Sequence, residues 1–290
     1  EMTYRVLEPA DVMQIDLMTP MEIDSIVQDG KKCMWKRDGN AFFVNMPGKA
    51  VKQSIRRMKI YFHGKPRVAK NAPWDGGFIW TEDKKGFPWI SLACQGMAAQ
   101  VWFPNKDHQA DEPDSVLVNY TVPKNLFAVG NGRLKSFREE KNGMMTYSWE
   151  IKNPINNYNI VPYIGRYIPL KDTLNGRAGT LDMDFWVLQE NYEKARARFA
   201  QAKSMLHCFE YWFGKYPFYE DGYKLVEAPF LGMEHQSAIA YGNDFMNGYQ
   251  GRDLSQTGWG LKWDFIIVHE SGHEWFGNNI TAKDVADNWI

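Results

Sequence analysis

The chain has 290 residues, 44% of them hydrophobic and 24% charged, with a net charge of −1; that is a globular balance with enough length for two sizeable cores. Near-neutrality gives no electrostatic case for nucleic acid or for an anionic membrane surface. No apolar run approaches the roughly twenty residues that span a bilayer, so no transmembrane segment is expected.

Glu1 is not followed by a signal-peptide pattern, and the sequence leaves both a cytoplasmic and an exported location open. Cys33, Cys94 and Cys208 are widely spaced, with no C-x-x-C pair, and read as buried free thiols rather than a disulfide framework.

Residues 1–185 read as β structure. Met58, Ile60 and Phe62 alternate with Lys59, Tyr61 and His63, and Val116, Val118, Tyr120 and Val122 recur at every second position up to Pro123. Met145, Tyr147, Trp149 and Ile151 repeat the pattern. This period of two belongs to half-buried strands. Turn signals separate them at Gly39-Asn40, Asp75-Gly76-Gly77, Gly130-Asn131-Gly132 and Asn142-Gly143. Short alternating strands between such turns predict antiparallel sheets packed as a sandwich or saddle.

The period then changes. Tyr192, Ala195, Phe199, Ala202, Leu206, Phe209 and Phe213 recur at three- and four-residue steps, with Lys194, Arg196, Arg198 and Lys203 on the other faces. One long amphipathic helix is predicted from Asn191 to Phe213, stopped by Gly214 and Pro217. The shift places a domain boundary near Asp184 to Gln189, dividing the chain into 1–185 and 186–290. An extended Leu225-Val226 segment, a run from Leu231 to Ala240 and a glycine-rich loop lead to a second helix. Asp264 is its expected N-cap and Gly277-Asn278 its expected stop.

That second helix carries the chemistry. His269, Glu270 and His273 form an H-E-x-x-H pattern behind the apolar run Phe265 to Val268. On a helix the two imidazoles lie one turn apart on one face and can converge on one ion, zinc being the usual occupant. Glu270 sits about 100° further round, within reach of a metal-activated water without being a ligand. A core helix with two satisfied histidines is the plainer alternative, but a metal satisfies all three buried polar groups at once. Asn279, a poor ligand, stands ten residues after the first histidine, which argues against a metalloprotease with a third histidine there.

The stretch from His269 to Asn278, with Ile280-Thr281 and Asp287-Asn288-Trp289, resembles the zinc helix of the M1 (gluzincin) aminopeptidases, a family that includes leukotriene A4 hydrolase. Leu231-Gly232-Met233-Glu234-His235 is similar to the family's G-x-M-E-N exopeptidase motif, with Leu231 and His235 as departures. Phe213 to Phe218, Cys94-Gln95-Gly96 and Asp111-Glu112-Pro113 also resemble family segments; read without the family, Asp111 to Pro113 is a turn. The resemblance implies an α+β chain, a β saddle or sandwich followed by the first part of a thermolysin-like catalytic domain. It implies one Zn2+ per full-length protein, held by His269 and His273, and Glu270 as general base toward a zinc-activated water. Glu234 would bind the free α-ammonium of a peptide substrate, Gln95 would contact the substrate's first residue, and Gly232 and Met233 would line it as an added strand.

The family's third zinc ligand, a glutamate, is expected beyond Ile290, as are its transition-state tyrosine and its C-terminal helical domain; Asp284 or Asp287 is the stand-in to consider. The chain is therefore expected to be a fragment that is inactive alone. Two other readings compete with the aminopeptidase: a zinc endopeptidase that does not use Glu234, and a non-catalytic interaction scaffold. The preferred N-terminal residue, the oligomeric state and any epoxide hydrolase activity are not encoded in a form the sequence reveals.

Overall fold

The computed structural model describes residues 1–94, 99–108 and 111–287. The N-terminal part is antiparallel, as the alternation predicts. One sheet joins Met2–Arg5, Ile55–His63, Glu22–Gln28 and Lys31–Cys33 in that order, and a second joins Val12–Asp16, Ala41–Asn45 and Trp35–Asp38. Ile15, Ile26, Phe42, Val44 and Met58, each at most 2% exposed, fill the core they share. In Ile55–His63 the alternation holds at Met58, but Phe62 is 36% exposed. A register irregularity between Ile23 and Ser25 of the partner strand lies opposite, and bulges of this kind re-aim side chains.

Val116–Pro123, Met144–Ile151 and Arg133–Glu139 form a third antiparallel sheet with Met144–Ile151 in the middle. It shares its core with a sheet that includes Pro88–Ala93 and Tyr163–Gly165, around Trp149 and Tyr163.

A five-stranded mixed sheet takes strands from both sides of residue 185, in the order Tyr167–Gly176, Gly179–Leu188, Leu225–Glu227, Ile239–Tyr241, Gly232–Met233. Its first two strands are an antiparallel hairpin, and Trp186 then pairs in parallel with Val226. Trp186, Leu188, Val226 and Ala240 face the β-side core, while Phe185, Val187, Leu225 and Ile239 face a second core under the helices. Coverage on both faces explains why Phe185 to Leu188 is an unbroken apolar run.

Against that second core lie α1 (Tyr192–Phe199), α2 (Gln201–Phe213) and α3 (Phe265–Gly272). The single helix expected over 191–213 is interrupted at Ala200. Its stripe is buried at Ala195, Phe199, Ala202 and Leu206, while Phe213 is 49% exposed. Cys33 and Cys94 are buried as expected, but Cys208 is exposed, because it lies on the outer face of α2. The α+β class holds, with strands dominating and few helices. No helix of the described residues is long and apolar enough to cross a membrane.

Candidate metal and peptide site

Asp264 caps α3. Its carboxylate accepts from the backbone N–H groups of Ile266 and Ile267 at 3.1 and 3.4 Å, satisfying donors that a helix start leaves open. It also accepts from the Tyr241 hydroxyl at 2.6 Å and the Asn243 amide at 2.8 Å. Gln201, the first residue of α2, donates to the Asp264 carbonyl and accepts from its N–H. The motif helix is thus pinned at its start to both α2 and the sheet. Its regular part ends at Gly272, earlier than expected, with His273 at the C-cap still in the right-handed helical region. Bonds from Trp275 and Phe276 back to Gly272 tighten the next turn.

His269, Glu270 and His273 each present a ligand atom, and these atoms lie within 4.8 Å of one another. The two imidazole rings are 5.0 Å apart and nearly perpendicular. His273 Nδ1 lies 2.9 Å from the Phe276 carbonyl; a carbonyl only accepts, so Nδ1 carries the proton and Nε2 keeps a free lone pair. Desolvation, and then the charge of His273, hold the His269 imidazole below its usual range, which favours the neutral, metal-binding form. Asp284 and Asp287 are not part of this group among the described residues.

Glu270 is 7% exposed. Burial, and then the negative charge of Glu234, push its carboxyl well above the usual carboxylate range, the shift expected of a base poised to take a proton. Gly232 abuts it, since a Cβ at that position would meet Glu270 Oε1 and Ile266 Cγ2. Gly232–Met233 is an edge strand of the five-stranded sheet. Met233 is 2% exposed, its side chain lying in the β-side core, so what it presents outward is backbone. Glu234 is partly exposed, and its Oε1 accepts from the Tyr158 hydroxyl at 2.9 Å. Gln95 lies outside the described residues.

Several contributors were not singled out from sequence. Tyr158 comes from the β region. Asn278, 2% exposed, donates to the Glu234 carbonyl at 2.8 Å. Glu274, fully buried, accepts from Ser237 N at 2.9 Å and from the Tyr216 hydroxyl at 2.9 Å. Burial pushes its carboxyl up to about 8. Glu112, read as part of a turn, accepts from the Thr281 hydroxyl at 2.9 Å and so ties the β region to the segment after α3. His235 is fully buried against Tyr163, with 2.6 Å between Nδ1 and the phenol oxygen.

No protein-family model matches this sequence. Among curated proteins the chain is similar to Probable aminopeptidase 2 of Sulfurisphaera tokodaii, 23% identical over 274 residues, which is 93% of this chain and 32% of that protein. It is similar to Probable aminopeptidase 1 of Saccharolobus solfataricus, 22% identical over 273 residues, again 93% of this chain and 32% of that one. It thus spans about a third of the length of these relatives.

Among solved structures it superimposes on the M1 zinc metallopeptidase of Deinococcus radiodurans with a TM-score of 0.81 at 20% identity, covering 99% of this chain and 61% of that one. A mutant of that protein bound to a Tyr-Ser-Ala substrate gives a TM-score of 0.76 at 19% identity, covering 97% of this chain and 60% of that one. The backbone superposition over nearly the whole chain defines the class of fold. More specifically, the fold is the one seen in the M1 zinc metallopeptidase of Deinococcus radiodurans, the fold expected from the resemblance.

Proposed function

We propose that this chain carries the β-rich unit and the first part of the catalytic unit of a zinc aminopeptidase, divided near residues 185 and 186, and that its protein removes N-terminal residues from peptides. The observation that carries this reading is the proximity of two sites. A base and an imidazole on α3, with a second imidazole at its C-cap, stand beside a carboxylate, Glu234, that follows the edge strand packed on the base.

The donor set fits zinc: two imidazoles with convergent nitrogens, one fixed in its tautomer by the Phe276 carbonyl. His269 and His273 would hold the ion. When bound, zinc supplies Lewis-acid polarisation of the scissile carbonyl and acidifies a water. Glu270 accepts the proton of the attacking water and delivers it to the leaving amine. Glu234 pairs with the substrate α-ammonium, which fixes the first peptide bond over α3 and restricts cleavage to it. Gly232 offers its backbone to the substrate as to an added strand. A catalytic zinc takes three protein ligands, so a third carboxylate ligand from outside these residues completes the site, and this chain alone turns over negligibly.

The test uses the full-length protein and one peptide with a free or an acetylated N-terminus. Acetylation is expected to abolish cleavage, and Glu270→Gln to abolish turnover while peptide affinity is kept. Cleavage that survives acetylation makes the protein an endopeptidase. Peptide binding with no turnover in the zinc-loaded wild type makes it a scaffold.

A further inference from the structure

Glu234 is held from two directions. Its carboxylate Oε1 accepts from the Tyr158 hydroxyl at 2.9 Å, and its backbone carbonyl accepts from the Asn278 amide at 2.8 Å. Asn278 in turn accepts from Asn159 at 2.7 Å through its side-chain oxygen. Asn156 reaches the Gly277 carbonyl and the Thr281 hydroxyl, each at 3.4 Å. A short segment of the β region, 156–159, therefore bridges Glu234 and the turn that follows the histidine pair. Asn156, Asn159 and Asn278 are buried, and the buried amide–amide bond from Asn159 to Asn278 helps to hold one geometry.

Tyr158 is suited to be a permanent donor. Burial, and then the charge of Glu234, hold its hydroxyl well above the usual phenol range, so it stays protonated across working pH. A free glutamate side chain samples several rotamers, and fixing it on binding costs entropy. Donation to Oε1 removes that freedom beforehand and leaves Oε2 for a second donor.

We propose that Tyr158 is a positioning residue for exopeptidase specificity, fixing the Glu234 carboxylate so that its second oxygen meets the substrate α-ammonium. This rests on the reading of Glu234 as the ammonium site, and it makes the β region a direct determinant of where the peptide is cut. The phenol acts on binding of the amine and leaves the proton transfers at Glu270 alone.

The experiment compares wild type, Tyr158→Phe, Glu234→Gln and the double variant in the full-length zinc-loaded protein. The substrates are an aminoacyl anilide and its analogue with the α-amino group replaced by hydrogen; calorimetry on the metal-free proteins measures affinity for an amino acid amide. Tyr158→Phe is expected to raise KM for the amine substrate roughly ten-fold and to weaken amide affinity similarly. Its kcat and its handling of the des-amino analogue should stay within about two-fold, and the double variant should be no worse than Glu234→Gln, as for coupled groups. If Glu234→Gln weakens affinity while Tyr158→Phe does not, the role of Tyr158 is refuted and the ammonium site stands. If neither variant changes affinity, the ammonium reading itself fails. Equal losses on both substrates, or additive effects in the double variant, mark Tyr158 as merely structural and overturn the proposal.

Discussion

Gly232 and Glu270 touch so closely that glycine is required between them: a Cβ at residue 232 would stand 2.5 Å from Glu270 Oε1 and 2.8 Å from Ile266 Cγ2. Glu270 is buried and cannot swing into solvent at no cost. Gly232→Ala therefore displaces the carboxylate or the edge strand, and misplacement of a base by about 1 Å costs roughly 100-fold in rate. With Glu270 as the proposed base, the expected outcome in the full-length protein is a kcat/KM lower by about that factor, with circular dichroism and zinc content unchanged. Wild-type kinetics in this variant would show that the contact does not govern the base.

Asp264 is the most consequential cap in the chain. It accepts from two backbone donors of α3 and from the Tyr241 and Asn243 side chains, all in a buried setting. Asp264→Ala loses the cap, about 0.5–2 kcal/mol, and strands buried donors at about 1–3 kcal/mol each. A loss of roughly 3–5 kcal/mol is expected in urea unfolding. Asp264→Asn keeps an acceptor oxygen and should lose less than half of that.

How much of this was legible follows the periodicity. Strands with one solvated face, such as Val116–Pro123, announced themselves by alternation. The central strand Gly179–Leu188 did not, because Phe185 to Leu188 are buried on both faces and the pairing of Trp186 with Val226 joins residues far apart in sequence. The H-E-x-x-H pair and Asp264 were readable because a helix fixes their spacing locally. Tyr158 and Asn278 were not, since their roles exist only where the β region meets the turn after α3.

His235 sets an acid limit. The Tyr163 phenol donates to the Ala238 carbonyl at 2.8 Å, so His235 Nδ1 donates to the phenol oxygen and Nε2 is left buried and without a partner among the described residues. Burial lowers its pKa to about 3, against about 6.5 in the unfolded chain. Below about 6.5 the unfolded state binds the proton first, so this group's contribution is fully present above that pH and is lost as pH falls toward 3. The loss approaches roughly 5 kcal/mol at the acid end, a large share of a typical domain's stability. His235→Asn should flatten the fall in urea midpoint between pH 7 and pH 4, other groups being common to both proteins. Parallel curves for the two proteins would remove His235 as the cause.

Zinc binding by this chain alone gives the sharpest measurement of the metal site. On the proposed reading, in which the third ligand lies outside the described residues, the two imidazoles hold the ion weakly, because each further ligand adds to an affinity that is already pH-dependent. Titration against a chelator of micromolar affinity is expected to strip the ion, and His269→Ala to abolish binding. Since desolvation and His273 lower the His269 pKa, its neutral form persists to more acid pH than that of a free imidazole. Zinc retention should therefore fall off below the ordinary histidine range of about 6.5, not at it. One zinc held tightly per chain, or measurable hydrolysis of an aminoacyl anilide, would mean that these residues complete the site unaided.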